Sequence, residues 1–239
     1  MKIITVENYQ EMSVLCAEII RDVVRAKPNA VLGLATGSTP LGAYAELCSM
    51  YNRGEVSFKN VKTVNLDEYV DVKDPTHSYA YFMKTNLFDG IDINTANTHI
   101  PNGEATDLAM ECRRYDSLLD RMPRDIQLLG LGSDGHIAFN EPNSPFNGRT
   151  RVAQLADSTI KDNSRLFATI EDVPREALTM GIADIMSAKR VVVLASGLNK
   201  AQAVRAMVKG KVSESCPASI LQQHSDVVVI LDKLAGSLL

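Results

Sequence analysis

The stretch Leu131-Gly132-Ser133-Asp134-Gly135-His136-Ile137-Ala138-Phe139-Asn140-Glu141-Pro142 brings one imidazole and two carboxylates into a single glycine-loosened turn. A His flanked by Asp134 and Glu141 has the group types of a general acid and base working near neutral pH. Asp67 and Glu68 form a second acidic pair, directly after the apolar run 61–66. A carboxylate at the mouth of an apolar sheet is partly desolvated, and its pKa rises toward that of a useful base; spacing alone chooses neither of the two. In Thr36-Gly37-Ser38-Thr39 a glycine permits a tight turn while hydroxyls and N–H groups gather at a helix start, an arrangement that binds phosphate. Lys200 stands at the start of another helix, where a cation opposes the macrodipole unless an anion lies between them. Arg165 carries the planar fork that grips a phosphate at two points.

The elements that must hold these groups alternate along the chain. Apolar and β-branched runs predict strands at 2–5, 30–35, 61–66, 126–131, 190–194 and 226–231. Helical patterns fall at 8–26, 40–51, 78–88, 106–121, 174–187 and 199–208, with Thr39 as an N-cap and Pro40 at a first helical position. That order predicts parallel βαβ units in a doubly wound α/β sheet. Each reactive cluster then sits at a strand's carboxyl end, along the edge where open α/β sheets bind ligands. The expected organisation is one catalytic domain over 1–239. Its segment 143–174, rich in Asn, Ser, Pro and charge, reads as a mobile lid.

Composition removes several function classes. A chain of 239 residues with 45% hydrophobic content can bury a substantial core. Its formal net charge of −4, without a Lys/Arg-rich run, argues against nucleic acid as a partner. No apolar run approaches the length of a membrane span, and Glu7 falls where a signal peptide needs apolar residues, so a cytoplasmic location is expected. Cys16, Cys48, Cys112 and Cys216 show neither metal-ligand nor redox spacing and read as reduced small hydrophobes. His77, His99 and His224 are assigned to capping or surface roles. No metal-ligand cluster and no dinucleotide or Walker-type loop is legible, so neither metal nor cofactor is expected.

Thr36-Gly37-Ser38-Thr39-Pro40, Asn65-Leu66-Asp67-Glu68-Tyr69, the Gly130–Pro142 stretch, Asn163-Ser164-Arg165 and Lys200-Ala201 occur in the order and spacing of the glucosamine-6-phosphate deaminases, which this chain resembles over nearly its whole length. The resemblance implies a modified Rossmann-like sheet and conversion of glucosamine 6-phosphate and water into fructose 6-phosphate and ammonia. It assigns ring opening to His136, supported by Asp134 and Glu141. It gives transfer of the C2 proton to Asp67, and phosphate binding to Ser38, Thr39, Arg165 and Lys200. The 6-phosphogluconolactonases are similar less closely, since they carry Asp-Glu-Arg where Asp67-Glu68-Tyr69 stands. A non-catalytic sugar-phosphate sensor would need a DNA-reading module that the chain does not show. Regulated hexameric members have a basic residue and a threonine where this sequence has Ala153 and Gln154, after Arg151, and a C-terminal extension beyond the position of Leu239. The departure predicts a monomer or small homo-oligomer without activation by N-acetylglucosamine 6-phosphate.

Overall fold

The computed structural model describes every residue except Arg165, Leu166 and Ala168; of Ser158, Asp162 and Asn163 only the backbone is described. β1 (Lys2–Val6) leads into α1 (Tyr9–Ala26), which Asn8 opens by accepting the Glu11 N–H at 3.0 Å. Met12, Cys16, Ala17, Ile20 and Val24 recur at helical spacing and are buried, so one stripe of α1 packs against the core. There follow β2 (Val31–Leu34), α2 (Leu41–Asn52), β3 (Lys62–Asn65), β4 (Asp67–Tyr69), α3 (Tyr79–Asn86), β5 (Thr98–His99) and α4 (Leu108–Arg121). β6 (Ile126–Gly130), β7 (Arg151–Gln154), α5 (Asp157–Asn163), β8 (Glu176–Thr179), α6 (Ile182–Met186), β9 (Val191–Ala195), α7 (Ala201–Lys209) and β10 (Val227–Asp232) complete the chain.

Seven strands form a parallel sheet in the order β1-β10-β9-β6-β2-β3-β5. β9 and β10 are buried at every residue, as interior strands of a parallel sheet covered on both faces must be. From β2 the chain moves outward through β3 to β5, then returns through α4 to lay β6 on the other side of β2. The winding direction therefore reverses between β2 and β6, and their carboxyl ends open onto the crevice that such a switch point leaves. This is the α/β class expected from the alternation of elements.

A second, antiparallel sheet in the order β4-β8-β7 was not expected. It corrects the predicted helix 174–187. Glu176–Thr179 is strand β8, paired with Asp67–Tyr69 on one side and Arg151–Gln154 on the other, and only Ile182–Met186 is helical. Ala177, Leu178, Ile182 and Ile185, all buried, fit one helix face as well as a strand followed by a helix, and only long-range pairing decides. Asp67 and Glu68 do follow a strand, β3, as expected, and the same sheet makes them part of a further strand, β4. Two elements, β7 and α5, occupy part of the segment read as a lid.

Smaller departures have local causes. Pro40, already in the αR region, is the N-cap of α2, and no side chain caps this helix, so Thr39 is not the cap expected. The Tyr9 hydroxyl accepts the Gly42 N–H instead, at 2.8 Å. His224 is buried rather than superficial. Its Nδ1 accepts the Asp226 N–H at 3.1 Å, leaving Nε2 to donate to the Ala188 carbonyl at 2.8 Å. No helix among the described residues is long and apolar enough to cross a membrane.

Candidate active site

The strand-end clusters converge. A crevice of about 200 Å³ is walled by Thr36–Thr39 after β2, Asp67 at the start of β4, Gly130–Ser133 and His136 after β6, and Lys200 after β9. Since β9, β6, β2 and β3 are neighbours in the sheet, their carboxyl ends are adjacent, and the crevice follows from strand order.

The turn after β6 is built around His136. Its Nδ1 lies 2.8 Å from Asp134 Oδ1 and 3.3 Å from Glu141 Oε2. Neither contact is in line for a linear hydrogen bond, so the attraction is chiefly ionic. Asp134 Oδ1 also accepts the His136 backbone N–H at 3.1 Å, which ties that carboxylate to the turn. Gly132 is required by close approach: a Cβ there would fall 2.4 Å from His136 Nδ1. Gly135 supplies the left-handed turn with φ of 91°, and Ala138 adopts φ of 52°, a strained value for a residue with a Cβ. Burial alone lowers the imidazole pKa, but Asp134 and Glu141 outweigh it and raise the value to about 9. The imidazolium in turn holds Asp134 down at about 2. Glu141 is pushed up by its own burial and pulled further down by His136 and the Thr159 hydroxyl, for a net lowering. With Nδ1 committed to two carboxylates, Nε2 is the atom that can exchange protons with a ligand.

β4 separates the acidic pair. Successive residues of a strand point to opposite faces, and Asp67 lines the crevice while Glu68 turns toward α3. The Glu68 carboxylate accepts the backbone N–H groups of Tyr69, Tyr79 and Ala80 at 2.9, 2.8 and 2.8 Å, capping α3 and fixing Tyr79 in the crevice wall. Those three bonds tie it to the backbone, although burial raises its pKa. Asp67 is 6% exposed. Burial first, and the charge of Glu68 second, lift its pKa to about 7, while His136 and the Thr36 hydroxyl restrain the rise. A group so placed can both take and return a proton near neutrality.

The crevice wall also carries donors. Gly37 and Gly197 both have positive φ, 89° and 94°, and turn the chain sharply after β2 and β9. The Gly197 turn is held by Asp232, which accepts the Ser196 hydroxyl at 2.5 Å and the Gly197 N–H at 2.9 Å. That support sets Lys200 at the N-cap of α7, facing the crevice together with Ser38 and Thr39. Arg165, expected at the same anion site, lies outside the described residues. Sequence reasoning missed Tyr79, Thr159 and Phe139 as wall residues, and Asp232 as the brace of the Lys200 turn. Only Asp232, an acid ending an apolar strand, carries a signal that could have found it.

Asp134, His136 and Glu141 are also donor types that a divalent ion accepts, their ligand atoms lying within 4.8 Å of one another. In this structure Nδ1 and Oδ1 approach each other directly, at 2.8 Å.

One strand-edge crevice thus gathers an imidazole, a buried carboxyl group, hydroxyls and a lysine, the group types that a small anionic molecule would meet in an α/β protein. The chain belongs to the family of glucosamine-6-phosphate isomerases and 6-phosphogluconolactonases, whose model matches residues 6–230. A glucosamine-6-phosphate deaminase of Thermoanaerobacter sp. (strain X514) is 50% identical over 241 residues, covering 100% of this chain and 95% of that relative. Glucosamine-6-phosphate deaminase 1 of Bacillus subtilis (strain 168) is 48% identical over 240 residues, covering 100% and 99%. The solved structure of a monomeric glucosamine-6-phosphate deaminase superposes with a TM-score of 0.98 at 47% identity, covering 100% of both chains. The 6-phosphogluconolactonase of Trypanosoma brucei shares the fold with a TM-score of 0.80 at 22% identity, covering 99% of this chain and 97% of that one.

Proposed function

We infer that the protein is a glucosamine-6-phosphate deaminase, converting glucosamine 6-phosphate and water into fructose 6-phosphate and ammonia. The observation that carries the reading is the pairing of His136 with two carboxylates opposite a buried, pKa-raised Asp67 in one crevice. The pyranose must open before its C2–H bond is acidic, and opening moves a proton from the C1 hydroxyl to the ring oxygen. His136 serves that step through Nε2, its charged form supported by Asp134 and Glu141. The aldehyde then acidifies C2, and Asp67 takes the C2 proton and returns it to C1 by way of an enolamine. Water adds to the resulting C2 imine and ammonia leaves. Ser38, Thr39, Lys200 and Arg165 hold the phosphate, so that binding at a non-reacting end orients the reacting one. Within the segment 143–174, read as a lid, α5 brings Thr159 to the crevice wall and so covers part of this site.

The direct test measures ammonia release from glucosamine 6-phosphate beside hydrolysis of 6-phosphogluconolactone, with a chelator present. Deamination without lactone hydrolysis is expected; activity that returns only on adding a divalent ion contradicts the cofactor-free reading. In the same preparation saturation should be hyperbolic with and without N-acetylglucosamine 6-phosphate, and light scattering should give a monomer or small oligomer. Ala153 and Gln154 offer an effector phosphate no cation, and a ligand without differential affinity shifts no equilibrium. A sigmoidal curve straightened by that sugar phosphate contradicts this part.

The anion cradle makes its own prediction. Lys200→Ala should weaken substrate binding by about 1.5–3 kcal/mol, the range for hydrogen bonds to charged groups, and raise KM by about tenfold to a hundredfold. Glucosamine without its phosphate should be insensitive to the change. Equal loss with both sugars would remove Lys200 from the phosphate site.

A further inference from the structure

The two carboxylates beside His136 are not equally secured. Asp134 belongs to the same turn and is held by the His136 N–H. Glu141 reaches the ring from beyond the strained Ala138, with Oε2 at 3.3 Å from Nδ1 and both atoms closed to solvent. A Glu side chain has several rotatable bonds, and an oxygen facing a ring at that distance stays there only if the rest of the carboxylate is fixed. Thr159 fixes it. Its hydroxyl donates to Glu141 Oε1 at 2.6 Å, and because the carboxylate is planar, holding Oε1 directs Oε2 at the imidazole. Thr159 is buried, lies in the crevice wall and belongs to the first turn of α5. A β-branched side chain on a helix has few rotamers, so the helix sets where that hydroxyl points. The next residue, Ile160, is buried in the cluster that contains Tyr69, Phe139, Leu155 and Ala177 and so anchors α5 to the second sheet.

We propose that Thr159 is a positioning residue of the acid–base site, its hydroxyl orienting Glu141 toward His136, so that packing of α5 completes a constellation the 133–142 turn cannot complete alone. The inference rests on the reading of His136 as the ring-opening group. The charged and titratable groups facing that imidazole are Asp134 and Glu141 from its own turn and Asp67 from β4 across the crevice.

The test compares Thr159→Val, which keeps the shape and removes the hydroxyl, with Thr159→Ser, which keeps the hydroxyl. For each full-length variant, kcat and KM for glucosamine 6-phosphate are measured, and the His136 titration is followed by NMR. Loss of one hydrogen bond to a charged group should lower kcat about tenfold and the His136 midpoint by about one pH unit, with KM nearly unchanged. Thr159→Ser should restore both. In a double-mutant cycle, Thr159→Val added to Glu141→Gln should cost nothing further, because its effect passes through Glu141. The proposal is overturned if Thr159→Val leaves kcat and the midpoint as in the wild type, if Ser fails to rescue, or if the two changes are additive. A wild-type His136 that titrates at an ordinary imidazole value rather than near 9 overturns the underlying paired-histidine reading instead. The two failures are therefore distinguishable.

Discussion

Replacing Asp67 with asparagine is expected to lower kcat for deamination by about 10²–10⁴-fold, the contribution of a positioned general base, with little change in KM. The substitution keeps size and hydrogen-bonding shape, so the wall of the crevice and its contact with Thr36 survive while proton-accepting capacity goes. The pH profile carries the same information. Asp67 must be ionised to act, and its pKa is raised to about 7 by burial, so activity should fall as pH drops through that region. His136 is charged below about 9 and loses its proton above it, which places the alkaline limb there. The wild-type profile should be a bell between those values. In Asp67→Asn the residual activity should lose the acid limb and keep the alkaline one. A mutant within threefold of wild-type kcat, on the same general-base scale, would exclude Asp67 as the base.

His136→Gln should be nearly as damaging with the natural sugar, by about 10²-fold or more, but for a different reason and with a different remedy. Glutamine can hydrogen-bond but cannot carry a proton from the C1 hydroxyl to the ring oxygen, so the block falls on ring opening. An analogue lacking the C5 hydroxyl cannot form the pyranose, and with it the variant should recover most of the wild-type rate. The alkaline limb should disappear. The acid limb should move upward, because the charge of His136 helps hold the Asp67 pKa down and its removal releases that restraint. Equal loss with both sugars would join His136 to the C2 chemistry and refute the division of labour. Stability follows the same pairing. The folded-state pKa of His136 is raised above that of a free imidazole, so its contribution is fully present below about 6.5 and is lost as pH rises through about 9.

The large sheet and most of its reactive edge are legible in the sequence because strand and turn announce themselves locally. Buried parallel strands are continuous apolar runs, and each stops at a glycine or polar cluster: Thr36–Thr39, Gly132–His136 and Ser196–Lys200. The second sheet is illegible for the opposite reason. β4, β7 and β8 are short, and their pairing joins Asp67 to Thr179 and Arg151 to Thr179, contacts that no local window contains. That gap also explains why Asp67 and Glu68 cannot be told apart by spacing. The choice depends on which face of β4 meets the crevice, and β4 exists as a strand only because β8 lies beside it. Thr159 is invisible for the same reason, since its value comes from an oxygen 18 positions away in the chain, on Glu141. A Ser/Thr/Pro run signals a helix start without fixing which residue takes the cap, and Pro40 rather than Thr39 takes it.

The most direct measurement follows deuterium placed at C2 of glucosamine 6-phosphate. With the wild-type protein the label should leave C2 and be found partly at C1 of fructose 6-phosphate and partly in water, as one carboxyl group carries it between adjacent carbons with some loss to solvent. With Asp67→Asn it should stay at C2 of unreacted sugar, while His136→Gln should still release it from the analogue that cannot close to a pyranose. Label leaving C2 as fast in Asp67→Asn as in the wild type would contradict the account, because the base would then lie elsewhere.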